Sequence, residues 1–133
     1  ARARENFVNC KFGAKYIISD RSVLTNYVSR IADSGFNVED SFIDIQRKEN
    51  KYLPVPDVLL FLDFDVKSCH ERTKNRKKTE CKTDSSVEKI AQSKEIFNAL
   101  LSNKELIGMG KTRVIKLTEE HFPITPEFIF NII

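Results

Sequence analysis

Residues 53–65 read LPVPDVLLFLDFD. Pro54 and Pro56 exclude a helix through this point, because proline lacks an amide donor and pushes its predecessor out of the helical region. The run from Val58 to Leu62 is continuously apolar, the signature of a strand buried on both faces of a parallel sheet. Asp63 and Asp65 follow at once. Asp65 stands where an N-cap belongs for a helix starting at Val66. The stretch therefore predicts a buried strand turning directly into a helix, with acids at the strand's carboxyl end.

Residues 15–19 (KYIIS) predict a second short buried strand, and residues 112–117 (TRVIKL) a third. Leu24, Tyr27, Val28 and Ile31 recur at helical spacing after Val23, and Gly35 stands where a helix would end. A second helix is predicted from Asn37 to about Asn50, with Val38, Phe42 and Ile45 on one face. A long helix from about Ser85 to Leu101 carries Val87, Ile90, Ile96, Phe97 and Leu100 as its stripe. Residues 1–9 read as the end of a helix, and residues 124–133 as an apolar one. Strands alternating with helices predict an α/β fold, a parallel sheet with helices on both faces. Three strands are few for such a sheet, and the chain begins inside a helix. Both features predict an incomplete single domain over residues 1–133, its N-terminal part absent.

Composition narrows the function classes. The chain has 133 residues, 41% of them hydrophobic, and a formal charge of +3. It is long enough for one core, and the charge is too mild to argue for nucleic acid. No apolar run reaches membrane-spanning length, and the first residues, ARARENFV, lack the apolar region of a signal peptide. Cys10, Cys69 and Cys81 have neither disulfide nor zinc spacing. Reduced thiols predict an intracellular, cytoplasmic protein.

The candidate chemistry lies where strands end. Ligands of open parallel sheets bind outside the carboxyl ends of the strands. Asp20 with Arg21 follows YIIS, and Asp63 with Asp65 follows VLLFL. Asp65 reads first as a cap. A carboxylate that can hold magnesium through water, beside a guanidinium that can fork a phosphate, suits Asp20–Arg21 to phosphoryl transfer. Residues 71–83 (ERTKNRKKTECKT) hold six Lys/Arg against two Glu, the composition of a basic loop able to close over polyphosphate or of a plain solvated one. No aromatics interleave these charges, which argues against a nucleic-acid surface. GMGKT, residues 108–112, ends like a Walker A loop. It lacks that motif's first glycine, since Glu occupies position 105, and it runs from helix into strand instead of strand into helix.

Taken together, IISDRSVLTN, PDVLLFLDFDVKSCHER, RKKTECKTD and the long helix after them resemble thymidylate kinase, a family of P-loop nucleoside monophosphate kinases. The resemblance covers roughly residues 3–120. It implies a P-loop kinase-like three-layer sandwich, ATP and Mg²⁺ in the reaction, nucleotide substrates, a homodimer and a mobile LID at about residues 72–84. It implies that Arg4 and Arg21 contact the acceptor monophosphate, that Asp20 lies near magnesium through water, and that Thr25 and Asn26 face the base edge. It also implies that Arg72, Arg76 and Lys77 serve ATP from the LID, Arg76 supplying charge to the transferring group. Catalysis would then rest on Asp20, Arg21 and Arg76. This chain departs from the family at Ser22, where a tyrosine or histidine is usual, at Ser29-Arg30, where the family has Tyr-Gln, and in having no Walker A sequence. Phosphorylation of dTMP to dTDP is the implied reaction, the 133 residues alone being a poor catalyst. A deoxynucleoside kinase and a kinase-like interaction module without catalysis stay open as alternatives.

Overall fold

The computed structural model describes residues 16–75 and 86–133. The first element is α1 (Val23–Asp33), capped by the Ser22 hydroxyl, which accepts from the Leu24 N–H at 3.3 Å. Its end is a Schellman turn. The Gly35 N–H donates to the Ala32 carbonyl, and the Phe36 N–H donates to the Ile31 carbonyl at 2.8 Å. Gly35 takes the left-handed φ of +75° that this turn needs. Helix α2 (Asp40–Asn50) follows, then strand β1 (Val58–Leu62), α3 (Val66–Lys74), α4 (Val87–Ser102), a 3₁₀ turn at Lys104–Ile107, strand β2 (Arg113–Leu117), a 3₁₀ turn at Glu119–His121 and α5 (Pro126–Ile132).

Among the described residues the sheet has two strands. β1 and β2 pair in parallel, with Val58 opposite Arg113 and Leu62 opposite Leu117. A parallel pair with helices between its strands is the arrangement of an α/β protein. Strand alternation divides the apolar residues between two faces. Leu59, Phe61 and Val114 pack against the main core, where Phe61 meets Phe97 of α4 with ring centroids 5.4 Å apart. Leu60 and Leu62 lie on the other face, along a groove of about 400 Å³ that Leu117, Ile124 and Ile129 also line.

The core lies on the α1–α4 side. Tyr27, Val28 and Ile31 of α1 join Ile96, Leu100 and Leu101 of α4, with Ile107 and Met109 closing its end. Ile31 and Met109 are fully buried.

Three expectations are corrected. Residues 16–19 form no strand, and Ile18 is 93% exposed. A strand needs a neighbouring strand to complete its ladder, and neither β1 nor β2 pairs with this segment. α2 begins at Asp40, not Asn37, and turns Ile43 and Gln46 inward while Val38 and Ile45 face solvent. The helical period holds, but the buried phase is shifted because α1 covers a different side. Val87 at the head of α4 is exposed as well, one turn before the buried Ile90. The helix expected at residues 1–9 lies outside the described residues.

Candidate functional site

The carboxyl end of β1 carries a dense polar cluster. The Asp63 N–H donates to the Leu117 carbonyl at 2.8 Å and so extends the ladder one residue past the strand. Its carboxylate pairs with the Lys94 ammonium of α4, Oδ1 to Nζ at 3.2 Å, and the same ammonium donates to the Phe64 carbonyl at 3.2 Å. Asp65 caps α3 as expected, accepting from the Ser68 N–H at 3.3 Å, while its own N–H donates to Glu119 Oε1 at 2.6 Å. That last bond ties the turn after β1 to the turn after β2. His121 completes a reciprocal cap there, with Nδ1 accepting from the Thr118 N–H at 3.0 Å. Since Nδ1 accepts, the ring proton of a neutral imidazole sits on Nε2.

Arg72 belongs to α3, not to a loop. Its guanidinium lies over the rings of Phe64 and Phe122, at 4.9 and 5.6 Å from their centroids. This position suits a cation held by aromatic faces, and it fastens α3 to the segment after β2. Cys69, one turn before Arg72, is half-buried, and burial pushes its thiol pKa up, with the Arg72 and Lys94 charges opposing that rise. A thiol held neutral in this way is a poor nucleophile.

The second group stands at the head of α1. Asp20 and Arg21 are both exposed. Arg21 has φ +77°, a left-handed backbone that costs a residue with a β-carbon about 1–2 kcal/mol. The Ser19 hydroxyl donates to the Arg21 carbonyl at 2.9 Å and helps hold that bend. The bend lets Ser22 cap α1 and leaves the two charged side chains outside the helix, next to its amino terminus. Thr25 is half-buried and Asn26 exposed, within the first turn.

The sequence placed Asp20 and Asp63 along one sheet edge. With residues 16–19 outside the sheet, no described hydrogen bond or ion pair joins the two groups. Arg4, Arg76 and Lys77, and the expected LID beyond Asn75, lie outside the described residues. Sequence reasoning missed Lys94 and Glu119. Lys94 had a signal, since it sits four residues after Ile90 on the core stripe of α4, where an ammonium requires a partner. Glu119 had none, because its role depends on β1 and β2 being adjacent.

No group of three or more His, Cys, Asp or Glu among the described residues could hold a metal ion, and no described helix is long and apolar enough to cross a membrane. No protein-family model matches the chain, and no curated protein or solved structure matches it either.

Proposed function

We propose that this chain serves in the ATP-dependent phosphorylation of a deoxynucleoside monophosphate, with dTMP as the acceptor. The observation that carries the reading is the head of α1. An arginine held in a left-handed bend stands beside a helix amino terminus, with an aspartate before it and both side chains exposed. A helix amino terminus favours anions through its free N–H groups and its dipole. A guanidinium adds a bidentate contact to phosphate. In this reading Arg21 receives the acceptor phosphate, and Thr25 and Asn26 meet the base. Asp20 fits a magnesium ion only through water, because a lone exposed carboxylate is no metal cage and Mg²⁺ retains several waters in phosphate sites. Phosphoryl transfer needs little covalent chemistry from the protein, so positioning and charge would supply the rate. Arg4, Arg76 and Lys77 belong to the proposal on the resemblance alone.

None of the 133 residues forms a Walker A sequence, so the primary test is acceptor binding, measured by calorimetry. dTMP should bind saturably, and Arg21→Ala should weaken it by about 3 kcal/mol, the upper range for a charge-assisted hydrogen bond. A loss below tenfold would put Arg21 outside the site. Thymidine binding as tightly as dTMP would favour the deoxynucleoside kinase instead. Failure of dTMP, dUMP and thymidine alike would leave the interaction module, a reading that the open apolar groove over β1 favours.

A further inference from the structure

The groove on the second face of the sheet is apolar along its length. Leu60 and Leu62 of β1, Leu117 of β2, and Ile124 and Ile129 beyond it line a space of about 400 Å³, within the roughly 300–1,000 Å³ of small-molecule sites. Phe64, two residues past Leu62, continues the row, because alternate residues of an extended chain share a face. Leu62 is 54% and Phe122 53% exposed. Large apolar side chains exposed together along one concave surface mark a binding site, where scattered ones would not.

A single charge breaks this lining. Arg72 is the one charged residue among the described residues that line the groove. Its guanidinium lies over the Phe64 and Phe122 rings, past the carboxyl end of β1, so one end of the groove is cationic and the rest apolar. None of the described ion pairs includes Arg72, and the residue is exposed. Asp65 and Glu119, the acids of the neighbouring turns, bond instead to the Ser68 and Asp65 N–H groups. With its face resting on aromatic rings, the guanidinium keeps the N–H groups in its plane for a carboxylate, which it can hold by two parallel bonds.

We propose that this groove binds a medium-chain fatty acid, with the alkyl chain along Leu60 and Leu62 and the carboxylate on Arg72. From Leu60 to Phe64, four steps of extended backbone cover about 13 Å, room for a chain of roughly ten carbons. An alkyl chain asks for no hydrogen bonds from leucine and isoleucine walls, and the one charge it carries has its complement at one end. A base or a sugar would leave buried polar edges unpaired against the same walls. The inference rests on the groove and Arg72 alone and is independent of the phosphotransfer reading.

The test is a titration of the 133-residue chain with decanoate, kept below its micelle concentration and followed by methyl NMR. The Leu60, Leu62 and Ile129 methyl signals should shift saturably. Octanoate should bind at least about tenfold more weakly, as the loss of two buried methylenes requires. Arg72→Met should weaken decanoate at least about tenfold and leave 1-decanol unchanged, a readout that loss of fold would also move. Leu62→Asp, at an exposed position, should abolish decanoate binding without lowering Tm. Three results would overturn the proposal. Absence of saturable shifts at these methyls would mean that the groove takes no alkyl chain. Decanoate affinity unchanged in Arg72→Met would mean that the cation does not select the ligand. Shifts of the same methyls on raising protein concentration alone would make a second copy the occupant.

Discussion

At the scale of single residues, Arg21 concentrates the functional reading. Its left-handed backbone is unfavourable for any residue with a β-carbon, so the local structure alone would prefer glycine there. Arg21→Gly should therefore raise stability by about 0.5–1 kcal/mol in urea unfolding while weakening dTMP as severely as Arg21→Ala does. If the glycine variant gained stability and kept its affinity, the bend would be unrelated to phosphate binding. Burial makes the opposite statement at Tyr27 and Cys69. It raises the pKa of both groups, while the Asn50 hydrogen bond and the Arg47 charge oppose the rise at Tyr27. The folded chain thus holds these two protons to higher pH than the unfolded chain does. Their contribution to stability is complete below the ordinary thiol value and is lost as pH rises through the raised values. Urea midpoints should fall between about pH 8 and 11, and Tyr27→Phe should flatten the upper part of that fall.

At the scale of elements, caps and turns decide where helices start and stop. Asp65 was legible as a cap because an acid directly before a helical pattern and after an apolar strand has few other local roles. Its second bond, from its N–H to Glu119, was not legible, because it spans 54 residues of sequence. Gly35 was legible for the same local reason as the Asp65 cap. A β-carbon there would meet nothing within 4 Å, so only the φ of +75° opposes substitution. Gly35→Ala should cost about 1 kcal/mol in chemical denaturation, and Gly35→Asn clearly less, since asparagine tolerates this region. Equal costs for the two would point to a side-chain clash instead of backbone strain.

At the scale of the whole molecule, burial is lopsided. The α1–α4 side holds Ile31 at 0% exposure, whereas Phe130 of α5 is 64% exposed. Ile31→Ala should cost about 3 kcal/mol through lost transfer energy and the cavity left behind, a large share of a typical domain's stability. Phe130→Ser should change stability by no more than about 0.5 kcal/mol. Thermal unfolding of the two variants side by side checks this. A comparable loss at Phe130 would mean that α5 is covered in solution by something beyond the described residues.

The local features were legible in the chain's own residues: the β1 strand and its exit through Asp65, the helical periods of α1 and α4, and the lack of a Walker A pattern. Each follows from neighbours within a few residues, through backbone sterics and the periodicity of side chains. Long-range packing set which strands pair, which phase of α2 turns inward, and that Arg72 rests on Phe64 and Phe122. It also left residues 16–19, the segment before Asp20, out of the two-stranded sheet. A continuously apolar segment such as YIIS states that it can be buried, but burial as a strand needs a partner for every backbone group. Long-range pairing supplies it: residues 58–62 pair with residues 113–117, and residues 16–19 pair with neither strand.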